Sequence, residues 1–303
     1  MKKNILITGL GYIGFSLCKL LSKDNKYKIT VIDNQFYPSR VKWCFENGIS
    51  FFHRDLFNLK DLLEKINIVV HSAGITSVPQ TKEQSSPEID NQIYKVGIEG
   101  TRAILNNIRN DCLFVHLSTH CVFDGLQEQL FDINESEPQC PLLSYGQSKS
   151  QNEVDLLNGI NDHIILRLAS VYGYGEDATR WRILPNLFSK MAGLNEVIKV
   201  FGSGENIKPL IGLNDVCLAI KYLIESNNKN EIYHLVNEHK SVIEVAQICQ
   251  KYNPDLIIEN TLDKIPNLGY TLDNRKIKST GFKFKQNLDK EIGKMIEFWS
   301  NKI

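Results

Sequence analysis

The sequence predicts an α/β fold with a doubly wound parallel sheet, followed by a smaller C-terminal lobe. Short β-branched runs alternate with longer amphipathic runs through the first half of the chain, and this alternation loosens after Tyr172. The β-branched runs are too continuously apolar for a sheet with one wet face, so helices are expected to cover both faces. Alternation at this spacing is typical of parallel strands joined by right-handed crossovers.

Six strands are predicted in the first half, over residues 4–8, 27–33, 49–55, 66–74, 112–119 and 163–172. Helices are predicted over 14–23, 59–66 and 87–110, and from Tyr145 onward. Further along, the patterns predict a helix within 180–193, a strand within 196–205, and helices within 213–226, after the capping box of Ser241 and Glu244, and within 287–302. The predicted domains are therefore 1–172 and 173–303, with about 210–236 returning to the first sheet.

The overall charge argues against binding to nucleic acid or to anionic membranes. The 35 basic and 35 acidic side chains cancel, so the chain carries no bulk field that would attract a polyanion. No apolar run approaches the ~20 residues of a membrane span, and three glycines interrupt the apolar N-terminal stretch, unlike a signal peptide. A cytoplasmic protein is expected.

The seven cysteines indicate reduced thiols, because they are scattered, odd in number and never spaced Cys-x-x-Cys. His116, His120 and Cys121 are residues of metal-ligand type. Their spacing suggests no fourth ligand, so no metal site is predicted.

A glycine-rich turn follows the first strand and opens the first helix, with Gly9, Gly11 and Gly14 in the pattern Gly-x-Gly-x-x-Gly. The second strand ends at Asp33, about 20 residues further on, as the dinucleotide-binding fingerprint requires. The glycines would let the backbone approach a pyrophosphate at the helix N-terminus. Asp33 would accept hydrogen bonds from the ribose hydroxyls and repel a 2′-phosphate, so NAD is predicted as the cofactor of a Rossmann domain.

A second pattern, Tyr145-x-x-x-Lys149, lies at the start of a predicted helix, which places both side chains on one helix face. An ammonium beside a phenol lowers the phenol's pKa, so such a tyrosine can exchange a proton with a hydroxyl or carbonyl group. The pair by itself is a common exposed combination. It becomes specific because it follows a strand that ends in "LSTHCVFDG".

Through nearly its whole length the chain resembles the extended short-chain dehydrogenases/reductases of the nucleotide-sugar epimerase/dehydratase group. The resemblance rests on the glycine turn with Asp33, on Tyr145 and Lys149, and on "HRDL", "VVHSAG", "GTRAIL", "LSTHCVF", "LRLASVYG", "TLDNRKIKSTGF" and "EIGKMIEFW". It implies hydride transfer between a nicotinamide and a sugar carbon. In this mechanism Tyr145 is the acid/base, Lys149 holds the nicotinamide ribose, and Thr119 binds the reacting oxygen.

The resemblance also implies the remaining site residues. The expected cofactor-binding residues are Gly9, Gly11, Tyr12, Ile13, Gly14, Asp33, Asn34, Asp55, Leu56, Ser72, Ala73, Gly74, Tyr145, Lys149 and Val171. The expected residues for a nucleotide-activated sugar are Thr119, His120, Ser170, Arg182 and Lys208. The first domain would then bind NAD, and the second would mainly bind the substrate.

Several departures from the family pattern keep more than one reaction open. The 4,6-dehydratases of the family carry Asp-Glu where this chain has His120 and Cys121, so dehydration is not expected. "STHCVFDG" is similar to the "STDYVFDG" of dTDP-4-dehydrorhamnose reductases, whereas Asp33 suits the NAD of the epimerases. The leading interpretation is an epimerase or oxidoreductase acting on a sugar nucleotide. An NAD(P)H-dependent keto-sugar reductase and a non-catalytic NAD-binding scaffold or sensor are the alternatives.

Other departures concern individual contacts. Gly97 and Ser170 stand where the family usually has Asn, and Lys208 stands where Arg often binds the diphosphate, which removes a bidentate contact. Arg180 and Arg182 are alternative anion contacts. The glycine turn is one residue shorter than the family's usual spacing, so its pyrophosphate contacts are expected to differ.

The resemblance further implies a homodimer formed by helix 87–110 and the helix that begins near Tyr145. Apolar residues of the first helix suit such an interface, namely Ile89, Ile93, Val96, Ile104 and Ile108. The same residues would equally suit packing against the sheet.

Overall fold

The computed structural model describes residues 2–75, 84–262 and 269–302. The chain divides into two compact units. Unit 1 comprises Met1–Gly125, Gln139–Arg167 and Cys217–Tyr233, and unit 2 comprises Leu126–Pro138, Leu168–Val216 and His234–Ile303. This division differs from the predicted boundary at 172, because residues 126–138 belong to unit 2. Ile133 explains the difference: its N–H donates to the Thr271 carbonyl at 3.0 Å, and it forms a β-bridge with Leu272.

The described strands are β1 Lys3–Thr8, β2 Tyr27–Asp33, β3 Ser50–His53, β4 Ile68–His71, β5 Leu113–Thr119, β6 His163–Leu168, β7 Ser170–Tyr172, β8 Ile198–Phe201, β9 Ile207–Gly212, β10 Glu231–Leu235, β11 Glu238–Ser241 and β12 Ile258–Thr261. A seven-stranded sheet has the order β10-β6-β5-β4-β1-β2-β3. Its β1 pairs in parallel with both β2 and β4, and the strand order reverses there. The predicted doubly wound α/β fold is confirmed.

The helices in the described part of the chain are α1 Tyr12–Leu21, α2 Pro38–Glu46, α3 Lys60–Leu63, α4 Pro87–Tyr94, α5 Gly100–Leu105, α6 Ser144–Leu157, α7 Asn186–Gly193, α8 Leu213–Glu225, α9 Val242–Tyr252, α10 Arg275–Ser279 and α11 Leu288–Ser300. The predicted capping box is present at α9, where Ser241 and Glu244 bond each other's backbone N–H. No helix among residues 2–75, 84–262 and 269–302 has the length and hydrophobicity to cross a membrane.

Two predicted elements differ in the structure, and one helix was not predicted. The strand predicted over 163–172 is two strands, because Ala169 donates to the Leu235 carbonyl and β7 then pairs with β9 in a separate sheet of order β11-β9-β7. The helix predicted over 87–110 is α4, a π-helical turn at Lys95–Glu99, and α5, which ends at Leu105. Helix α2 was not predicted, although Pro38 at its first turn suits a helix start.

The core of unit 1 includes two of the apolar residues of the predicted 87–110 helix. Ile104 and Ile108 belong to a buried cluster with Phe114 of β5, and both are less than a tenth exposed. These isoleucines therefore pack inside unit 1. In unit 2, a second core gathers Tyr172, Ile198, Leu210, Val245 and Met295.

Candidate active site

The glycine turn lies at the carboxyl end of β1, where the strand order of the sheet reverses. In doubly wound sheets, ligands bind at this switch point. Gly9 has a φ of +89°, and a Cβ there would lie 3.0 Å from main-chain atoms of Ala73. A Cβ on Gly14 would lie 1.9 Å from the Gly9 carbonyl oxygen, whereas one on Gly11 would meet nothing within 4 Å. The turn is thus packed on one side and open at Gly11.

The N-terminus of α1 is left without a side-chain cap. Gly11 is the N-cap residue, it makes no side-chain cap hydrogen bond, and the first turn contains no acidic residue. The first N–H groups of a helix have no partner within the helix, and the helix dipole favours an anion beside them. Gly11, Tyr12 and Ile13 therefore offer backbone donors of the kind that a pyrophosphate accepts. The expected cofactor-binding turn fits NAD on this observation.

Both peptide groups that flank Leu10 in this turn are held by side chains. Asp33 accepts a hydrogen bond from the Leu10 N–H through Oδ2 at 2.7 Å. Arg40 of α2, which is largely buried, donates from Nη1 to the Leu10 carbonyl at 3.0 Å, and its guanidinium lies 4.0 Å from the centre of the Tyr37 ring. Asp33 and Arg40 thus fix the shortened turn from β2 and α2. Arg40 was not predicted as a site residue, because the pattern did not predict α2.

The other expected cofactor-binding residues of unit 1 follow the carboxyl ends of neighbouring strands. Ser72 donates from Oγ to the Thr8 carbonyl at 2.6 Å, and the Ala73 N–H donates to Thr8 Oγ1 at 3.2 Å. Beyond β3, the Leu56 side chain is buried in the core, and the Asp55 carboxylate accepts the Phe57 N–H at 2.9 Å. Two residues remain in this group, Asn34 directly after β2 and Gly74 after Ala73.

Thr119, Tyr145 and Lys149 lie at the carboxyl end of β5 and on the first two turns of α6. Thr119 is buried, and its Oγ1 accepts the Cys121 N–H at 3.2 Å, which caps a 3-10 turn at His120–Phe123. Helix α6 begins at Ser144, so Tyr145 and Lys149 are one turn apart on the same face. Lys149 is only 7% exposed. Burial lowers the pKa of its ammonium to about 8, and the charge of Glu153 opposes that shift.

Two buried histidines, His71 and His116, lie on the neighbouring strands β4 and β5. His71 Nδ1 lies 2.8 Å from Thr8 Oγ1, and its Nε2 lies 3.0 Å from Thr101 Oγ1. The His116 ring stacks beside it, with 5.9 Å between ring centres. Burial, with a smaller contribution from the Lys149 charge, lowers the pKa of His71 to about 3 and that of His116 well below its usual value. Both histidines are therefore neutral at physiological pH.

The structure separates His116 from the other two residues of metal-ligand type, His120 and Cys121. His116 is inside the core, whereas His120, Cys121 and Asp124 bring one ligand atom each to within 4.8 Å of one another. Three ligands are one fewer than a structural zinc site uses. Asp124 had not been singled out, because only the 3-10 turn brings it beside His120.

A buried ion pair between Glu153 of α6 and Arg167 of β6 was also not predicted. The Arg167 Nη2 to Glu153 Oε2 distance is 2.8 Å, and the side chains are 3% and 1% exposed. The sequence contained a signal for Arg167, since this charge lies within a strand predicted to be covered on both faces, whereas Glu153 lies in a largely polar helical segment. Nothing in the spacing, however, indicated that the two charges meet.

The remaining expected site residues belong to unit 2. Ser170 and Val171 lie in β7 and Lys208 lies in β9, two strands of the same three-stranded sheet. Val171 is buried, and Ser170 and Lys208 are half-buried. Arg182 is exposed on the segment that precedes α7. Unit 2 thus brings three of these four residues onto one sheet.

Comparisons with known proteins identify what the chain is similar to. Residues 5–237 match the family described as the NAD dependent epimerase/dehydratase family. A trifunctional UDP-glucose 4,6-dehydratase/UDP-4-keto-6-deoxy-D-glucose 3,5-epimerase/UDP-4-keto-L-rhamnose-reductase of Arabidopsis thaliana is 26% identical over 98% of this chain and 47% of its own length. The chain therefore spans about half the length of this relative.

Two further comparisons cover a larger share of the other protein. A dTDP-4-dehydrorhamnose reductase of Aggregatibacter actinomycetemcomitans is 28% identical over 77% of this chain and 73% of its own length. The crystal structure of a UDP-glucuronic acid 4-epimerase from Bacillus cereus, in complex with UDP-glucuronic acid and NAD, superposes with a TM-score of 0.85. That comparison covers 99% of this chain and 100% of the other at 21% identity, and it establishes a shared fold.

Proposed function

Because the chain belongs to the NAD dependent epimerase/dehydratase family, we propose that it is an enzyme that epimerises, oxidises or reduces one carbon of a nucleotide-activated sugar. The observation that carries the proposal is the pairing of Tyr145 with a buried Lys149 on the first two turns of α6. Thr119 ends β5, the strand that precedes α6 along the chain. These are the groups that proton transfer at a sugar hydroxyl or carbonyl needs.

Each of these groups has a proposed task. Tyr145 exchanges a proton with the reacting oxygen, and Thr119 donates a hydrogen bond that orients that oxygen. The Lys149 ammonium holds the nicotinamide ribose and favours negative charge on the phenol oxygen of Tyr145. NAD, when bound, supplies the hydride acceptor and donor, which no side chain provides. Gly9, Gly11, Gly14 and Asp33 hold its adenosine diphosphate part.

The proposed substrate is a sugar linked to a nucleoside diphosphate. In support, the Arabidopsis relative is named for UDP-sugar reactions, and the Bacillus cereus epimerase was crystallised in complex with UDP-glucuronic acid. Ser170, Arg182 and Lys208 are the proposed contacts in unit 2, and His120 is the proposed contact beside Thr119. Lys208 would bind phosphate as a point charge.

A keto-sugar reductase is the second candidate reaction. The segment from Ser118 to Gly125 is similar to the corresponding segment of dTDP-4-dehydrorhamnose reductases, and one such reductase is among the relatives. The absorbance spectrum of the purified protein separates the two reactions. NAD(H) that stays bound through dialysis supports an epimerase, whereas a cofactor-free enzyme that consumes NADH with a keto-sugar supports a reductase.

The replacement Tyr145→Phe tests whether the protein is an enzyme at all. Loss of the acid/base should lower kcat by about 10²- to 10⁴-fold, because positioned proton transfer contributes that much. NADH affinity, measured by fluorescence titration, should stay within a small factor of the wild-type value. If the variant turns over sugar nucleotides as fast as the wild type, the catalytic proposal fails and a scaffold or sensor role takes its place.

A homodimer in the cytoplasm is also proposed. Val154 and Leu157 on α6 are about half exposed, and Ile160 just beyond the helix is 76% exposed, which leaves apolar surface for a second copy. All seven cysteines are free thiols, as expected in a reducing compartment. Light scattering on the purified protein tests the oligomeric state, since a monomeric mass would contradict the dimer.

A further inference from the structure

The carboxylate of Glu153 lies one helical turn after Lys149 on α6. It forms a bidentate contact with Arg167: Nε lies 3.1 Å from each carboxylate oxygen, and Nη2 lies 2.8 Å from Oε2. Gln139 donates from Nε2 to Oε2 at 2.6 Å, and Ser118 donates from Oγ to Oε1. The carboxylate is thus fully hydrogen-bonded and almost completely removed from water.

These contacts connect the elements that carry the proposed catalytic groups. Ser118 immediately precedes Thr119, so its bond to Glu153 ties the end of β5 to α6. The Arg167 guanidinium lies 5.4 Å from the centre of the buried Phe123 ring, in the 3-10 turn that Thr119 caps. The ion pair therefore links the strand end that carries Thr119 to the helix that carries Lys149.

The same carboxylate acts on Lys149 electrostatically. Tyr145 and Glu153 lie one turn before and one turn after this lysine on α6, and Lys149 interacts electrostatically with His71 on β4 and His116 on β5. Arg167 on β6 pairs with Glu153. Both histidines are neutral. The charge of Glu153 favours the charged form of Lys149, while burial disfavours it.

We propose that Glu153 is a positioning residue for the reaction, because it holds Thr119 against α6 and its negative charge keeps the ammonium of Lys149 protonated at neutral pH. This inference rests on the proposed function, in which Thr119 and Lys149 take part. Stability alone does not account for the ion pair. Well-packed apolar residues in place of a buried pair are often as stable or more stable.

The test replaces both charges together, as Glu153→Gln with Arg167→Met, so that neither charge is left buried without a partner. The titration of Lys149 is followed by NMR on isotope-labelled full-length protein and assigned with Lys149→Met. We expect the midpoint to fall, by less than the roughly one pH unit that loss of a nearby opposite charge gives, because loss of Arg167 also removes a positive charge that opposes the ammonium. The alkaline limb of the kcat profile should move by the same amount.

The matched control removes a second ion pair of α6, as Asp155→Asn with Arg102→Met. Asp155 lies two residues beyond Glu153, and its pair with Arg102 at 2.7 Å is partly exposed to solvent. The control should leave the Lys149 midpoint and the kcat profile unchanged. An unchanged midpoint in the Glu153/Arg167 variant overturns the electrostatic role. The NMR midpoint needs no substrate, so an inactive wild type would refute the proposed function and leave this result intact.

The variant Ser118→Ala tests the positioning role separately, and it needs no change in the buried charges. It should lower kcat by about tenfold through displacement of Thr119, with KM, NADH affinity and the Lys149 midpoint unchanged. A wild-type kcat would overturn the positioning role. If the Glu153/Arg167 variant does not fold, Glu153→Gln alone is titrated, and a midpoint equal to that of the wild type again overturns the electrostatic role.

Discussion

The turn between β1 and α1 is held mainly through its main chain, whereas the region around Thr119 and Lys149 is held by buried charged side chains. In the turn, the Gly9 N–H donates to the Ile32 carbonyl at 2.7 Å, and the Asp33 and Arg40 side chains bond the peptide groups on either side of Leu10. At β5 and α6, the Glu153 carboxylate receives donors from Ser118, Gln139 and Arg167.

The difference predicts opposite sensitivities in two regions of one sheet. A turn closed by main-chain contacts cannot accept a new Cβ at Gly9 or Gly14, but it contains no group that titrates near neutral pH. A region held by buried charges can accept a replacement of equal volume, yet it responds to pH. Unfolding measurements at several pH values and a set of variants test this contrast.

The largest expected effect is a pH dependence of stability caused by Lys149. Its pKa is about 8 in the folded protein, whereas a lysine in the unfolded chain titrates at about 10.4. Between these values the unfolded chain binds more protons, so the free energy of unfolding rises with pH, by up to about 1.4 kcal/mol per pH unit. The free-energy cost of burying the charged lysine is fully present below the folded-state pKa of about 8 and absent above the unfolded-state pKa of about 10.4.

Urea unfolding of the wild type and of Lys149→Met at several pH values measures this effect. Other groups also titrate here, such as the Cys44 thiol, whose pKa burial raises to about 11. Subtracting the Lys149→Met values from the wild-type values removes the contribution of these other groups, because both proteins contain them. A difference that stays constant from pH 8 to pH 10 would show that Lys149 is not destabilised by burial.

The next effect concerns the glycine turn, where Gly14→Ala should lower the free energy of unfolding by about 1–3 kcal/mol, the usual cost of overpacking. The physical reason is the 1.9 Å approach of the new Cβ to the Gly9 carbonyl oxygen. Gly11→Ala is the matched control, since its Cβ meets nothing within 4 Å. It should leave stability unchanged and still weaken NADH binding. If Gly11→Ala binds NADH as the wild type does, the pyrophosphate does not approach this turn.

The smallest expected effect is that of Arg40→Met. The variant loses the hydrogen bond to the Leu10 carbonyl. Loss of this bond should weaken NADH binding by about 1.4 kcal/mol, which is a tenfold loss of affinity. Fluorescence titration with NADH measures it. Arg109→Met, which removes an exposed pair with Asp111, is the control and should bind NADH normally. An Arg40 variant with wild-type affinity would show that Asp33 alone fixes the turn.

The fold was largely predictable because its signals are local. The strands of the parallel sheet appear as continuous apolar runs, and five of the six predicted in the first half correspond to single strands. The sixth, 163–172, was predicted wrongly, because its division after Leu168 depends on pairing with residues more than 40 positions away, Leu210 and Leu235. Helix α2 was not predicted, since its nine residues are too few for a clear periodic pattern and include three charged and two aromatic positions.

For the candidate site, the sequence indicated the residues that stand in fixed local patterns: the glycines, Asp33, Tyr145 and Lys149. It did not indicate Arg40 or Glu153. Their roles depend on contacts with Leu10 and Ser118, which lie 30 and 35 residues away along the chain. Both residues lie in helices that carry several other polar residues, so their charge gave no signal and did not indicate a partner.

The sequence by itself determined the fold class and the glycine turn, because both follow from residue spacing along short segments, and its motifs indicated the family by resemblance. The tertiary structure decided which side chains hold the shortened turn and which ion pair is buried one helical turn after Lys149. It also decided that Ile104 and Ile108 are core residues. The physical reason is the same in each case: burial and electrostatic interaction depend on which elements pack together, and packing in a doubly wound sheet joins residues that are distant along the chain.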